Sequence, residues 1–103
     1  VIHFTQEPPV DGFWSLTPYN MQWGLIENPI QRYSIGDRTE GIVHNADGSF
    51  DIYIQHAEPY GNSANWLPVN NGPFMLVLRT YNPQQSIIDG TWQPPAVYVA
   101  ETI

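Results

Sequence analysis

From Phe50 to Gln55 apolar and polar positions alternate strictly: Phe50, Ile52 and Ile54 against Asp51, Tyr53 and Gln55. A period of two over six residues predicts a strand with one face on a core and one in water. Just before it lies Asn45-Ala46-Asp47-Gly48, whose Asp-Gly pair suits the positive φ angles of a tight reversal. Gly41-Ile42-Val43-His44 is the expected partner strand. Phe74-Met75-Leu76-Val77-Leu78 is apolar on both faces, which predicts a central strand covered on both sides, with Arg79 at its end. Phe13–Leu16 and Ala96–Val99 read as further strands, and Ile2–Phe4 as an edge strand.

The 10 prolines and 8 glycines recur too often for helical periodicity to develop. Pro8-Pro9 and Pro94-Pro95 must lie outside the sheets. Pro83 to Ile88 can form one helical turn with Pro at its start. Residues 57–73 carry no strong period and read as a long loop, the kind that often carries function. Short β-rich segments with frequent turns predict an all-β fold, an antiparallel two-sheet β-sandwich with jelly-roll-like connections, as one domain over 1–103. The expected core is Trp14, Leu16, Ile35, Ile52, Ile54, Leu76, Leu78 and Val97.

Composition narrows the function. The net charge of −7 argues against nucleic acid and anionic lipid, which need clustered cations. There is no cysteine, so there is neither a disulfide nor a thiolate nucleophile. No apolar run approaches the length of roughly 20 residues that a membrane helix needs. The chain begins at Val1, which reads either as a removed leader or as a piece of a longer protein. All three basic side chains are arginines, and two fall within Asn28–Arg38. Arginine without lysine suggests guanidinium groups held in fixed hydrogen-bonded roles.

A series of short segments carries a resemblance. They are Phe13-Trp14-Ser15-Leu16-Thr17, Asn28 to Thr39, Asn45-Ala46-Asp47-Gly48-Ser49 and Ile52-Tyr53-Ile54-Gln55-His56. They continue with Asn65-Trp66-Leu67-Pro68, Gly72-Pro73-Phe74, Leu78-Arg79, Ile88-Asp89-Gly90-Thr91-Trp92 and Pro94-Pro95-Ala96-Val97. In this order the chain resembles the domain of unknown function 1214 family. The resemblance implies a jelly-roll-like β-sandwich, usually following a second domain in exported bacterial proteins. It implies no catalytic residue and no cofactor.

Four constellations are candidates for chemistry. Arg32, Asp37, Arg38 and Arg79 can be structural ion pairs, with Asp37 beside Arg38 and Glu27, Glu40 or Asp89 in reserve, or they can bind a ligand's anionic group. His56, with Tyr33, Ser34 and Asp37 near in sequence, is a weak candidate for general acid–base work; Ser34 lacks the flanking glycines of a nucleophile elbow. His44, Asp47, Asp51 and His56 offer metal-type ligands at a spacing that fits no trusted pattern, so no metal is expected. Trp14, Trp23, Trp66 and Trp92 are expected mostly at the core or its edge. Trp66 and Tyr60, with Asn62, Asn65 and Asn70, could form a sugar platform in the long loop.

The reading that follows is a binding or accessory module rather than an enzyme. Its ligand is a small polar molecule, a carbohydrate or an anion, or else a neighbouring domain. The expected ligand-binding residues are Arg32, Tyr33, Asp37, Arg38, His56, Asn65, Trp66 and Arg79. A small hydrolase using His56 and a purely structural domain that forms homo-oligomers are the alternatives. Export is suggested by the resemblance alone.

Overall fold

The computed structural model describes residues 1–60 and 63–97. Six strands appear in chain order: β1 (Ile2–Phe4), β2 (Trp14–Tyr19), β3 (Ile35–Gly36), β4 (Phe50–Gln55), β5 (Trp66–Pro68) and β6 (Met75–Thr80). A 3-10 turn at Ser63–Asn65 and a short helix, α1 (Gln85–Ile88), complete the elements. The strands form two three-stranded sheets, ordered β1-β4-β5 and β3-β2-β6. The chain crosses between them after β1, after β3 and after β5, which makes a β-sandwich. Pairing is antiparallel except between β4 and β5, which run parallel.

The alternation in 50–55 predicts its strand correctly. Phe50, Ile52 and Ile54 are buried, and Asp51, Tyr53 and Gln55 are half-buried on the other side. Between the sheets these residues meet Ile2, Phe4 and Leu67 from their own sheet, and Trp14, Leu16 and Ile35 from the other. Phe4 stacks on Phe50 with centroids 4.9 Å apart, and Trp14 closes over both. The Asn45–Ser49 reversal forms as expected, with Gly48 at φ 89°. Asp47 accepts both the backbone N–H and the hydroxyl of Ser49 there, which holds its carboxyl below the ordinary range.

Several expectations are corrected. Residues 41–44 form no strand. The buried Asn65 side chain takes the partner strand's place: its Oδ1 accepts from Val43 N–H at 2.8 Å, and its Nδ2 donates to Val43 O and Asp51 O. The apolar 74–78 segment becomes β6, an edge strand half-buried along its whole length, rather than a central one. Leu76 and Leu78 pack against the core without being fully enclosed. Val97 is 51% exposed and touches the sheet only through a single bridge to Ile2. The expected strand at 96–99 runs beyond the described residues. The 57–73 segment is not a structureless loop, because it contains β5. Pro18 and Pro68 are buried inside strands. Both are tolerated because β3 covers β2 only at Ser15 and Leu16, and β5 lies at an edge.

Candidate functional site

β2 presents two different faces. Trp14, Leu16 and Pro18 point into the core. Ser15, Thr17 and Tyr19 alternate onto the outer face, opposite Arg79, Val77 and Met75 of β6. At the start of β2 this outer face opens into a cavity of about 180 Å³ reached by solvent. Its walls are Phe13, Trp14, Ser15, Ser34, Gly36, Asp37, Arg38 and Thr39. β3 approaches β2 closely at this cavity. At Gly36 a Cβ would collide with the Trp14 carbonyl, so no larger residue fits without displacing a strand.

The polar groups in this cavity are organised. Asp37 Oδ1 accepts the Trp14 backbone N–H at 3.1 Å, which fixes the loop to the strand. Thr39 Oγ1 accepts the Gly36 N–H at 2.9 Å. Arg38 does not pair with Asp37 as expected. Its guanidinium carbon lies 4.1 Å from the Phe13 ring centroid, and Phe13 in turn stacks on Tyr81 at 4.2 Å. Arg79 likewise sits over an aromatic ring, 5.5 Å from the Tyr19 centroid. Among the described residues no arginine lies within ion-pair distance of a carboxylate; His3–Asp51 at 2.7 Å and His44–Glu7 at 3.1 Å are contacts of imidazole with carboxylate. The expected scaffold of arginine–acid pairs is therefore absent among the described residues.

Arg32 is placed quite differently. Its Nη1 donates to the Ala64 carbonyl at 2.7 Å and the Trp66 carbonyl at 3.1 Å, tying the 28–32 turn to β5. Asn28 completes that turn by accepting Arg32 N–H and donating to Arg32 O. Tyr33 donates its hydroxyl to Glu27 at 3.1 Å, and the neighbouring carboxylate raises the phenol above its ordinary range. His56 donates from Nδ1 to the Val69 carbonyl at 2.9 Å, since a carbonyl can only accept. His56 does not line the cavity that holds Ser34 and Asp37.

Trp66 is buried, with its indole N–H given to the Gln55 carbonyl at 2.8 Å, so it is core and not a platform. Asn65 has all its amide groups engaged with backbone. Tyr60 is fully exposed, Asn70 donates to Pro73 O, and Asn62 lies outside the described residues. Of the expected binding residues, the cavity brings together Asp37 and Arg38. Arg79 pairs in register with the cavity residue Ser15, but its guanidinium lies over Tyr19 further along β2. Arg32, Asn65 and Trp66 meet one another beside β5, and His56 and Tyr33 stand apart. The metal-type set is also dispersed: His44 pairs with Glu7 and Asp51 with His3. No group of three His, Asp or Glu among the described residues could hold a metal ion.

Trp23, expected with the other tryptophans at the core or its edge, lies outside it. Trp23 is 64% exposed, at φ 64°, on a tight loop after β2. Asn20 makes that loop: its Oδ1 accepts from Gln22 and Gly24 N–H, and its backbone closes on Trp23 and Gly24. A bulky residue in the left-handed region costs about 1–2 kcal/mol, so the Asn20 bonds must hold it there. The Trp23 ring meets Tyr19 at 5.8 Å with the planes inclined by 53°. The sequence signal was Asn20 followed by Gly24, a turn that ends a strand and turns its next aromatic outward.

Residues 1–85 match the family described as Protein of unknown function (DUF1214), and the chain belongs to that family. Its fold is also that of a solved structure, the VPA0106 protein from Vibrio parahaemolyticus, at 33% sequence identity and a TM-score of 0.83. The similarity covers 97% of this chain and 25% of that one, so the chain spans about a quarter of its solved neighbour. No curated protein matches the chain. No helix among the described residues is long and apolar enough to cross a membrane.

Proposed function

We propose that the domain is a non-catalytic binding module that takes a small polar ligand with an anionic group in the cavity beside Arg38. The observation that carries this is the state of Arg38. Its guanidinium is steadied on Phe13 at 4.1 Å yet has no carboxylate within ion-pair distance among the described residues. A guanidinium fork of this kind pairs bidentately with a carboxylate, phosphate or sulfate. Ser15, Ser34 and Thr39 line the same space, and serine and threonine hydroxyls suit the remaining polar groups of such a ligand. Non-catalytic action is supported by the separation of His56 from the cavity: no imidazole stands beside Ser34 to activate it.

The test is thermal unfolding of the wild-type chain and Arg38→Ala with galacturonate, inorganic phosphate and glucose. At ten times Kd, a bound anion stabilises the fold by about 1.4 kcal/mol, a shift of roughly 5 °C or more for a domain of this size. The expected result is that shift with galacturonate or phosphate in wild type and none in Arg38→Ala, with no ligand consumed. The reading fails if neither anion shifts wild type, or if Arg38→Ala responds equally.

A further inference from the structure

We infer that the ligand is a chain and not a single unit: an acidic, uronate-bearing oligosaccharide that runs from the Arg38 cavity along the outer face of β2 to Trp23. This rests on the reading of Arg38 given above and extends it to a second contact. The register supplies the path. Ser15 lines the cavity and pairs across to Arg79 on β6; Thr17, next on that face, is buried, so the path runs over the Arg79 side chain, whose guanidinium reaches the Tyr19 ring further along β2. Ser15 to Tyr19 spans about 13 Å at the rise of an antiparallel strand, too far for one sugar ring to touch both ends.

Three features along this path fit a glycan with carboxylates. Arg79 repeats the arrangement of Arg38: a guanidinium seated on an aromatic ring, with no carboxylate within ion-pair distance among the described residues. Two such cations on one face of a chain with net charge −7 are local exceptions, placed where an anionic ligand would need them. Trp23 offers an exposed indole beside Tyr19, held by the Asn20 turn before any ligand arrives. The apolar face of a pyranose stacks on such a ring at little ordering cost, because the ring does not have to be immobilised on binding. An alternating arrangement of cation and aromatic surface matches a polymer whose every unit carries both a ring and a carboxylate.

Isothermal titration with galacturonate, hexagalacturonate and the uncharged hexasaccharide maltohexaose, on wild type, Arg38→Ala, Arg79→Gln and Trp23→Ala, tests this. Trp23→Ala removes an exposed ring and Arg79→Gln keeps the stem, so both fold. The expected result is that hexagalacturonate binds wild type at least tenfold more tightly than the monomer. Trp23→Ala and Arg79→Gln each remove most of that gain while leaving monomer binding intact. Equal affinity for monomer and hexamer, or a gain indifferent to Trp23 and Arg79, overturns the extended path and leaves the Arg38 reading standing. Absence of all binding, monomer included, overturns both. Equal binding of maltohexaose overturns the acidic class. A dimer in sedimentation that Trp23→Ala dissociates, with no heat from any saccharide, assigns the Trp23 surface to a second copy of the chain and overturns the proposal.

Discussion

The two ends of the arginine-bearing stretch use the same side chain in opposite ways. Arg32 gives its guanidinium to two backbone carbonyls, Ala64 and Trp66, at the edge of the β1-β4-β5 sheet. Around it Asn65 and Trp66 are buried, and every polar group of their side chains meets backbone. Arg38 faces the outside of the β3-β2-β6 sheet, with an aromatic ring beneath it and solvent above. Around it Asp37 and Thr39 hold the loop, while Ser15 and Ser34 line the cavity. The difference separates scaffold from site by hydrogen-bond accounting. Removing a group that is already engaged costs stability, and removing one that is not costs binding.

The contrast is sharpest at Asn65. Asn65→Ala removes three amide bonds and orphans the N–H and C=O of Val43 and the C=O of Asp51, so a loss of about 3 kcal/mol is expected in urea unfolding. A loss below about 1 kcal/mol would mean that the 41–44 segment is held by something else. Gly36→Ala comes next, because the new Cβ meets the Trp14 carbonyl and forces β3 away from β2. About 2 kcal/mol of stability is expected to go, and anion binding with it. Arg32→Ala should lose about 1–2 kcal/mol and keep its ligand response. Arg38→Ala should stay within about 0.5 kcal/mol of wild type and lose that response. If the two arginine variants behave alike, the comparison fails.

The smallest expected effect is one of pH. Ser49 holds the Asp47 carboxyl below its ordinary value of 3.8 in the folded state. A group depressed on folding adds stability above its unfolded value and loses it as pH falls toward the folded one. The midpoint of thermal unfolding should therefore fall on acidification below about pH 4, and Asp47→Asn should flatten part of that slope. Asp89, held down by Thr91, adds a contribution of the same sign.

The fold was legible where one local pattern decides it. The period of two in 50–55, the Asp-Gly reversal and the aromatic start of β2 each specify their own element. The segments at 41–44 and 74–78 were misread for one reason: apolar content shows that a strand is wanted, and says nothing about who its neighbours are. β6 is apolar on both faces and still lies at an edge, and Val43 finds a side chain where a strand was expected. The site was half legible. The absence of lysine drew attention to the guanidinium groups, but which of them are engaged depends on carbonyls more than thirty positions away, at Ala64 and Trp66. Trp23 was hidden because tryptophan in a small domain is ordinarily core; only the Asn20 turn shows that it faces outward.

With three arginines in the chain, the side-chain Nε–Hε region of a nitrogen–proton correlation spectrum should contain three resonances. Titration with galacturonate reads all three at once. The Arg38 resonance should move with ligand concentration and saturate, and the Arg32 resonance should stay in place because its guanidinium is held by Ala64 and Trp66. Movement of Arg32 with Arg38 unmoved would contradict the assignment of scaffold and site, and so would three resonances that never shift.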